Sequence, residues 1–390
     1  MEVDQHGAIG SAKCVRGAHS NMARTRARIP HILLLVASAC SPGAGVGGGA
    51  PYTIAAAGPW QLSHGRNTRL GIELALKEIN DAGGVNGHKL QVKEADDRAD
   101  GATAAQIAQK FVDDRTVSAV VGHVTSGAMV AAVQVYDGHL AAVATSASSP
   151  DLTGISKWAF RVISSDSANG ADMARFAVRT GHKRAAILYE NDNYGRGLAD
   201  AFRRNFSGEI IDIDPIRADA ANHEVFISYF RLKQPDIVFV AGTSGSALPL
   251  LAEAKRQGLK ADFMGGDGWT PITEHPEISE GAYVGAPFAP TDPRPEAQKF
   301  VAAYKAAYKG AEPDGNAALG YDATKVIAAA LAAVGPDREK IRDFLAGLSL
   351  PIAGVTGPIR FLPTGDPAGK GITMTRVRRD GALVVEGAPK

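Results

Sequence analysis

The segment from Leu70 to Leu90 reads LGIELALKEINDAGGVNGHKL, and few structures accommodate it. Ile72, Ala75, Leu76 and Ile79 recur at helical spacing and give a helix one apolar face, with Glu73, Lys77 and Glu78 mostly off it. Gly83-Gly84 follows, and glycine takes the left-handed conformation that ends a helix. Asn86-Gly87 then turns the chain into the alternating run Lys89 to Glu94, which reads as a strand. Upstream, Tyr52 to Ala57 is a short apolar strand broken by Gly58-Pro59. The spacing predicts a strand–helix–strand unit. Its first loop lies at the carboxyl end of a strand, the edge at which open α/β sheets bind ligands.

The alternation continues. Gly101–Arg115 reads as a helix, Val117–Gly122 as a buried strand, Ser126–His139 as a helix and Leu140–Ala144 as a strand. A second series starts near Ala168, with helices at Ala168–Gly181, Tyr194–Phe206, Asn222–Lys233 and Ser246–Gly258. Its strands are Arg184–Tyr189, Glu209–Ile213, Ile237–Ala241 and Asp262–Met264. Strands separated by helical stretches of about 10–15 residues imply parallel sheets covered on both faces. Two series imply two doubly wound α/β domains, as many as 390 residues accommodate. Helices near Arg294–Lys309, Ala317–Val334 and Arg338–Leu348 and a strand tail, Gly357–Phe361 and Ile372–Val377, close the chain.

The N-terminus reads as an address. Arg24, Arg26 and Arg28 precede the apolar run Ile29 to Ala39, then come small residues and Cys40, the layout of a secretory signal. Met22, just before the arginines, reads as the start, which would leave Cys40 as the one cysteine. Two readings fit Cys40: the lipid-modified first residue of a bacterial lipoprotein, or a residue following an ordinary A-x-A cleavage site. Ser41 to Ala50 is flexible enough for a tether. Gly43, Gly45 and Gly48 match G-x-G-x-x-G but follow a signal sequence and precede a strand, so they are no dinucleotide fingerprint. Without residues 1–39 the chain holds 37 Lys/Arg against 39 Asp/Glu, a net charge of −2. No basic stripe points to nucleic acid. Beyond the N-terminus nothing approaches the ~18 consecutive apolar residues of a spanning helix.

Gly122 to Gly127 (GHVTSG) joins a buried strand to a helix. A helix start offers free N–H groups and partial positive charge, which suits a carboxylate. Ser126 lies where an N-cap hydroxyl would be, so a plain cap is the competing role. Thr145 to Ser149 (TSASS) also follows a strand, and as residues alone it reads as a polar loop. Asn191 to Gly197 (NDNYGRG) turns into a helix. Asp267 sits among glycines in FMGGDGW after a strand, where backbone can approach a ligand closely. H-E-x-x-H, G-x-S-x-G, the P-loop and C-x-x-C are absent, so no enzyme constellation is visible.

From Tyr52 to the C-terminus the wording resembles the branched-chain amino-acid type of periplasmic binding protein, the soluble receptor of an ABC importer. The Leu70–Leu90 segment, the Tyr194-Gly195 pair and the FMGGDGW segment carry the resemblance. It implies a type I periplasmic binding fold, two lobes joined by a three-segment hinge. Crossings would fall near Val162–Ser165, Pro287–Thr291 and Pro351–Val355. Residues 51–163 plus 289–351 would then form one lobe, 164–288 plus 352–390 the other, and 1–50 the upstream sequence, signal peptide and tether. The ligand would be an amino acid or analogue and the partner a membrane permease, with a lipid anchor at Cys40 under the first reading and no cofactor. A sensor of the same fold is the competing function.

By the same resemblance, Ser126 binds the ligand carboxylate. Ala147 and Ser149, or Ser148 given a one-residue gap, contact the ammonium and carboxylate. Tyr194 closes from the second lobe, and Asp267 pairs with the ammonium. His123 matches a recurrent histidine beside the cleft and reads by default as a packed, hydrogen-bonded side chain. Trp60 and Trp269 are candidates for an apolar wall, or for core. Where branched-chain receptors carry a tyrosine after the strand Ile237–Ala241, this chain has Gly242 to Ser246 (GTSGS) with no aromatic. The pocket is expected to be more open or more polar there.

Overall fold

A computed structural model describes residues 49–217 and 223–386. The expectations for residues 1–48, including Cys40, lie outside that range. In the first lobe, β1 (Tyr52–Gly58), β2 (Leu90–Asp96), β3 (Val117–Gly122), β4 (Ala142–Ala144) and β5 (Ala159–Arg161) form a parallel sheet in the order β2-β1-β3-β4-β5. The second sheet runs β12-β11-β10-β9-β8-β6-β7. It comprises β6 (Arg184–Glu190), β7 (Glu209–Ile216), β8 (Ile237–Ala241), β9 (Asp262–Gly265), β10 (Tyr283–Ala286), β11 (Thr373–Val377) and β12 (Leu383–Val385). It is parallel from β7 to β10 and antiparallel at β11 and β12.

Both sheets are covered on both faces, as continuous apolar strands require. In β1, Ile54 and Ala56 join one core cluster with Val121, Val326 and Ile341, whereas Ala55 and Ala57 join another with Ile107, Met129 and Val133. In the second lobe, Leu188 and Val240 face Phe230 and Leu250, and Ile187 and Phe239 face Met173 and Phe202. The period-two alternation of each strand therefore feeds two cores.

Helix Gly315–Val334 returns late in the chain to the first lobe and packs along helix Ser63–Asp81. Gly71 and Gly320 set the approach. A Cβ on Gly71 would lie 1.9 Å from the Ala317 carbonyl oxygen, and one on Gly320 2.3 Å from that of Thr68. By length and composition Gly315–Val334 could span a membrane, but most of it is buried in the fold, which marks it as a core helix.

The third crossing falls later than Pro351–Val355. Residues 352–366 stay with the first lobe. Ile359 and Phe361 lie in its core, Phe361 packs on Phe160 at 5.0 Å between ring centroids, and Asp366 pairs with Arg161 at 2.6 Å. Gly357–Phe361 is no strand of the second sheet. It contributes to isolated bridges, Ile352 to Ile359 and Phe361 to Pro367, and the chain joins the second sheet only at β11. The cause is apolar: Ile359 and Phe361 complete a core that the five strands leave open. Lys370, just beyond, donates to the Val162 carbonyl at 2.8 Å and so ties this crossing to the first.

Candidate functional site

The loops after β1, β3 and β4 of the first lobe and after β6, β8 and β9 of the second carry the polar residues singled out above. Ser126 is not the helix cap. Thr125 occupies that position without a side-chain cap bond, and Ser126 begins helix Ser126–Tyr136. Its hydroxyl instead accepts from the Ser149 N–H at 3.1 Å, tying the β3 loop to the β4 loop. Ser149 Oγ accepts from the Asp151 N–H and so opens the short turn Pro150–Leu152. Ala147, Ser148 and Ser149 are all fully buried beside it. The structure thus gathers the four first-lobe residues at one helix start.

His123, next to them, is a packed side chain. It bridges Asp97 at 2.7 Å and the Tyr136 hydroxyl at 3.0 Å, and all three are buried.

From the second lobe, Asp192 caps helix Asn193–Asn205 by accepting from the Gly195 N–H, which places Tyr194 in the first turn. The buried Tyr194 hydroxyl donates to Asp267 at 3.1 Å and accepts from the Gly268 N–H at 3.1 Å. Asp267 follows β9 and is buried. Burial pushes its carboxyl up to about 6, against the opposing pull of the Tyr194 hydrogen bond and backbone N–H groups.

Asp166 is a member of the site that the sequence reading missed. It opens helix Asp166–Arg179 just past the first crossing, is fully buried, and accepts from Ser148 Oγ at 2.9 Å. Burial and, after it, the Asp267 charge push its carboxyl well above the usual range. Ser148 therefore faces a carboxylate at the hinge. The site thus holds two buried carboxyl groups that repel one another, and Arg161, whose charge favours ionised Asp166, is paired to Asp366.

The lobes touch around this cluster. Asn193 donates to Asp151 at 2.7 Å, and Arg66 lies 3.9 Å from Glu274. Asp151 and Arg66 belong to first-lobe segments and their partners to second-lobe segments, so the two lobes are in contact here. Of eight buried polar atoms without a partner among the described residues, five follow strand ends, Trp60 Nε1, His64 Nε2, Thr125 Oγ1, Thr145 Oγ1 and Trp269 Nε1; Asp212 Oδ2, His223 Nε2 and Arg342 Nε lie elsewhere. Trp60 is half-buried beside Gly58 and Val124. Trp269 is fully buried on Gly265 within the second-lobe core cluster. In the Gly242–Ser246 loop the hydroxyls of Thr243 and Ser246 both donate to Glu190, at 2.9 and 2.7 Å. Among the described residues no group of three His, Cys, Asp or Glu side chains is placed to hold a metal ion.

A family model described as periplasmic binding protein matches residues 51–382. An amino acid binding protein of Pseudomonas aeruginosa is 29% identical over 81% of this chain and 87% of its own length. A leucine-, isoleucine-, valine-, threonine- and alanine-binding protein of the same organism is 32% identical over 80% and 86%. Among solved structures, an ABC transporter substrate-binding protein of Desulfitobacterium hafniense in complex with Leu superposes with a TM-score of 0.75. It is 31% identical, over 86% of this chain and all of that one.

Proposed function

This chain belongs to the periplasmic binding protein family, and from that premise we propose that it is an exported receptor that captures an α-amino acid between its lobes and delivers it to an ABC importer. The observation that carries the amino-acid assignment is the pair of buried carboxyl groups, Asp166 and Asp267. Two acids held in one desolvated place, with the nearby Arg161 committed to Asp366, are unfavourable by themselves. An ammonium group between them removes the conflict.

The carboxylate of the same ligand suits the opposite side of the cleft. The N-terminus of helix Ser126–Tyr136 supplies N–H groups and partial positive charge. The Ser126 and Ser149 hydroxyls add donors, and the Ala147 carbonyl can accept from the ammonium. Tyr194, expected to close over the ligand from the second lobe, also positions Asp267 through its hydroxyl. Closure excludes water and strengthens each of these charge-assisted hydrogen bonds, and hinge closure is a standard motion for such architectures.

Calorimetry with a panel of amino acids and their deaminated analogues tests this reading. An amino acid is expected to bind, with its analogue lacking the ammonium at least about tenfold weaker, ~1.4 kcal/mol. Equal binding of the two would remove the amino-acid assignment. For the N-terminus we propose cleavage before or close to Cys40, with acylation of that thiol. Intact mass of protein from its native host checks it, and a mass corresponding to residues 1–390 would overturn it.

A further inference from the structure

Beside the second crossing lies a groove of about 1000 Å³, bounded by both lobes. No residue of the head-group site lines it. On the first lobe its wall holds Leu70 of helix Ser63–Asp81, Val301 and Tyr304 of helix Pro295–Ala307, and Asp314. On the second it holds Glu274 and the turn Asp380 to Leu383. Its charge is one-sided: four carboxylates, Glu274, Glu312, Asp314 and Asp380, face one ammonium, Lys305. Lys305 is paired to Glu312 at 2.5 Å, and Glu274 has Arg66 at 3.9 Å. Asp314 caps helix Gly315–Val334 by accepting from the Ala317 N–H at 2.8 Å, and its side-chain partners, Asn67 and Asn316, are neutral. Asp380 accepts from the Ala382 N–H. Neither aspartate has a cationic partner among the described residues.

Tyr304 is an independent sign of a ligand. It is 3% exposed and lines the groove, yet its hydroxyl has no hydrogen bond among the described residues. Two other tyrosines of the same cluster are bonded, Tyr308 to the Leu70 carbonyl at 2.7 Å and Tyr321 to Glu78 at 2.5 Å. Burial and, after it, the Asp314 charge raise the Tyr304 phenol above its usual range, so it stays protonated and its oxygen is free to accept. We propose that this groove is a second ligand site and takes an aliphatic polyamine. Its ammonium groups are shared between Asp314 on the first lobe and Glu274 and Asp380 on the second, and Tyr304 Oη accepts from one of them. Such charge-assisted bonds are the strong ones. Leu70, Val301 and Leu383 give the methylene chain an apolar wall. An anion would meet like charge. Among the described residues these acids are not grouped to hold a metal ion, and the groove has room for an organic cation. The inference goes beyond the amino-acid reading and does not depend on it.

The test is calorimetry of the protein with spermidine at physiological ionic strength, with butane-1,4-diol as the uncharged control, in wild type, Asp314→Asn and Tyr304→Phe. Both replacements keep size and shape, and asparagine still caps a helix. Unfolding midpoints recorded alongside show that each variant is folded. Wild type should bind spermidine at one saturable site and leave the diol unbound. Asp314→Asn should weaken spermidine by about tenfold and Tyr304→Phe by about fivefold. Spermidine should still bind when an amino acid saturates the head-group site. No saturable spermidine binding, equal binding of the diol, or an affinity unmoved in both folded variants overturns the inference. Displacement of spermidine by the amino acid would put it in the head-group site and overturns the inference too. Spermidine binding that the variants weaken, in a protein that binds no amino acid, would remove the amino-acid reading and uphold this site.

Discussion

Two buried acid clusters lie at the carboxyl edges of the sheets, and they differ in one respect. In the first, Asp97 has a histidine to answer it: His123 bridges Asp97 and Tyr136. In the second, Asp166 and Asp267 have each other and hydrogen-bond donors, the Ser148 hydroxyl and Asn169 amide on Asp166 and the Tyr194 hydroxyl on Asp267, with the nearby Arg161 paired to Asp366. Each cluster combines buried aspartate with a buried tyrosine. The satisfied one holds the β2 and β3 ends together. The unsatisfied one stores a conflict that a cationic group can relieve. Buried charge is a guide to function only when the protein has left it unanswered.

The comparison predicts opposite costs for removing an acid. Asp97→Ala strips the partner from His123 Nδ1 and from the Ala99 N–H. It should lower the free energy of unfolding by roughly 3 kcal/mol, as breaking a buried pair does, and denaturant titration measures it. Asp267→Asn removes a repelled charge instead. The unfolding midpoint of the ligand-free protein should stay or rise, while amino-acid affinity falls at least tenfold, ~1.4 kcal/mol. A destabilised Asp267→Asn with unchanged affinity would make the two clusters alike.

A smaller effect should appear with pH. The folded carboxyl of Asp267 lies at about 6, above its ordinary 3.8. Its contribution to the stability of the ligand-free protein is therefore full below 3.8 and lost as pH rises through about 6. A bound ammonium holds the carboxylate charged and cancels that loss. Thermal shift caused by a saturating amino acid should then be larger at pH 7 than at pH 5, and a flat profile would separate Asp267 from the ligand.

Much of this arrangement was legible in the sequence. Helical periodicity and the glycine pairs mark the strand–helix–strand units, and Ser126, Ser149, Tyr194 and Asp267 sit at strand ends or helix starts that local signals identify. Other features depend on distant contacts. Asp166 reads locally as an ordinary first-turn acid in SSDS, and only the fold brings it into electrostatic range of Asp267, a hundred residues later. Strands β5, β10 and β12, three or four residues each, are too short to show a period. The late third crossing has the same cause: Ile359 and Phe361 alternate as a strand would, but their destination is set by the space beside Phe160.

The central claim is that the acid pair receives an ammonium, and proton exchange on binding tests it most directly. Calorimetry near pH 6 in buffers of different ionisation enthalpy gives the number of protons released per ligand bound. The account predicts net proton release in wild type, as the ammonium drives the proton from Asp267, whose carboxyl lies at about 6. The release should fade at pH 8 and diminish in Asp267→Asn. Tight amino-acid binding at pH 6 with no proton released, and the same in Asp267→Asn, would contradict it.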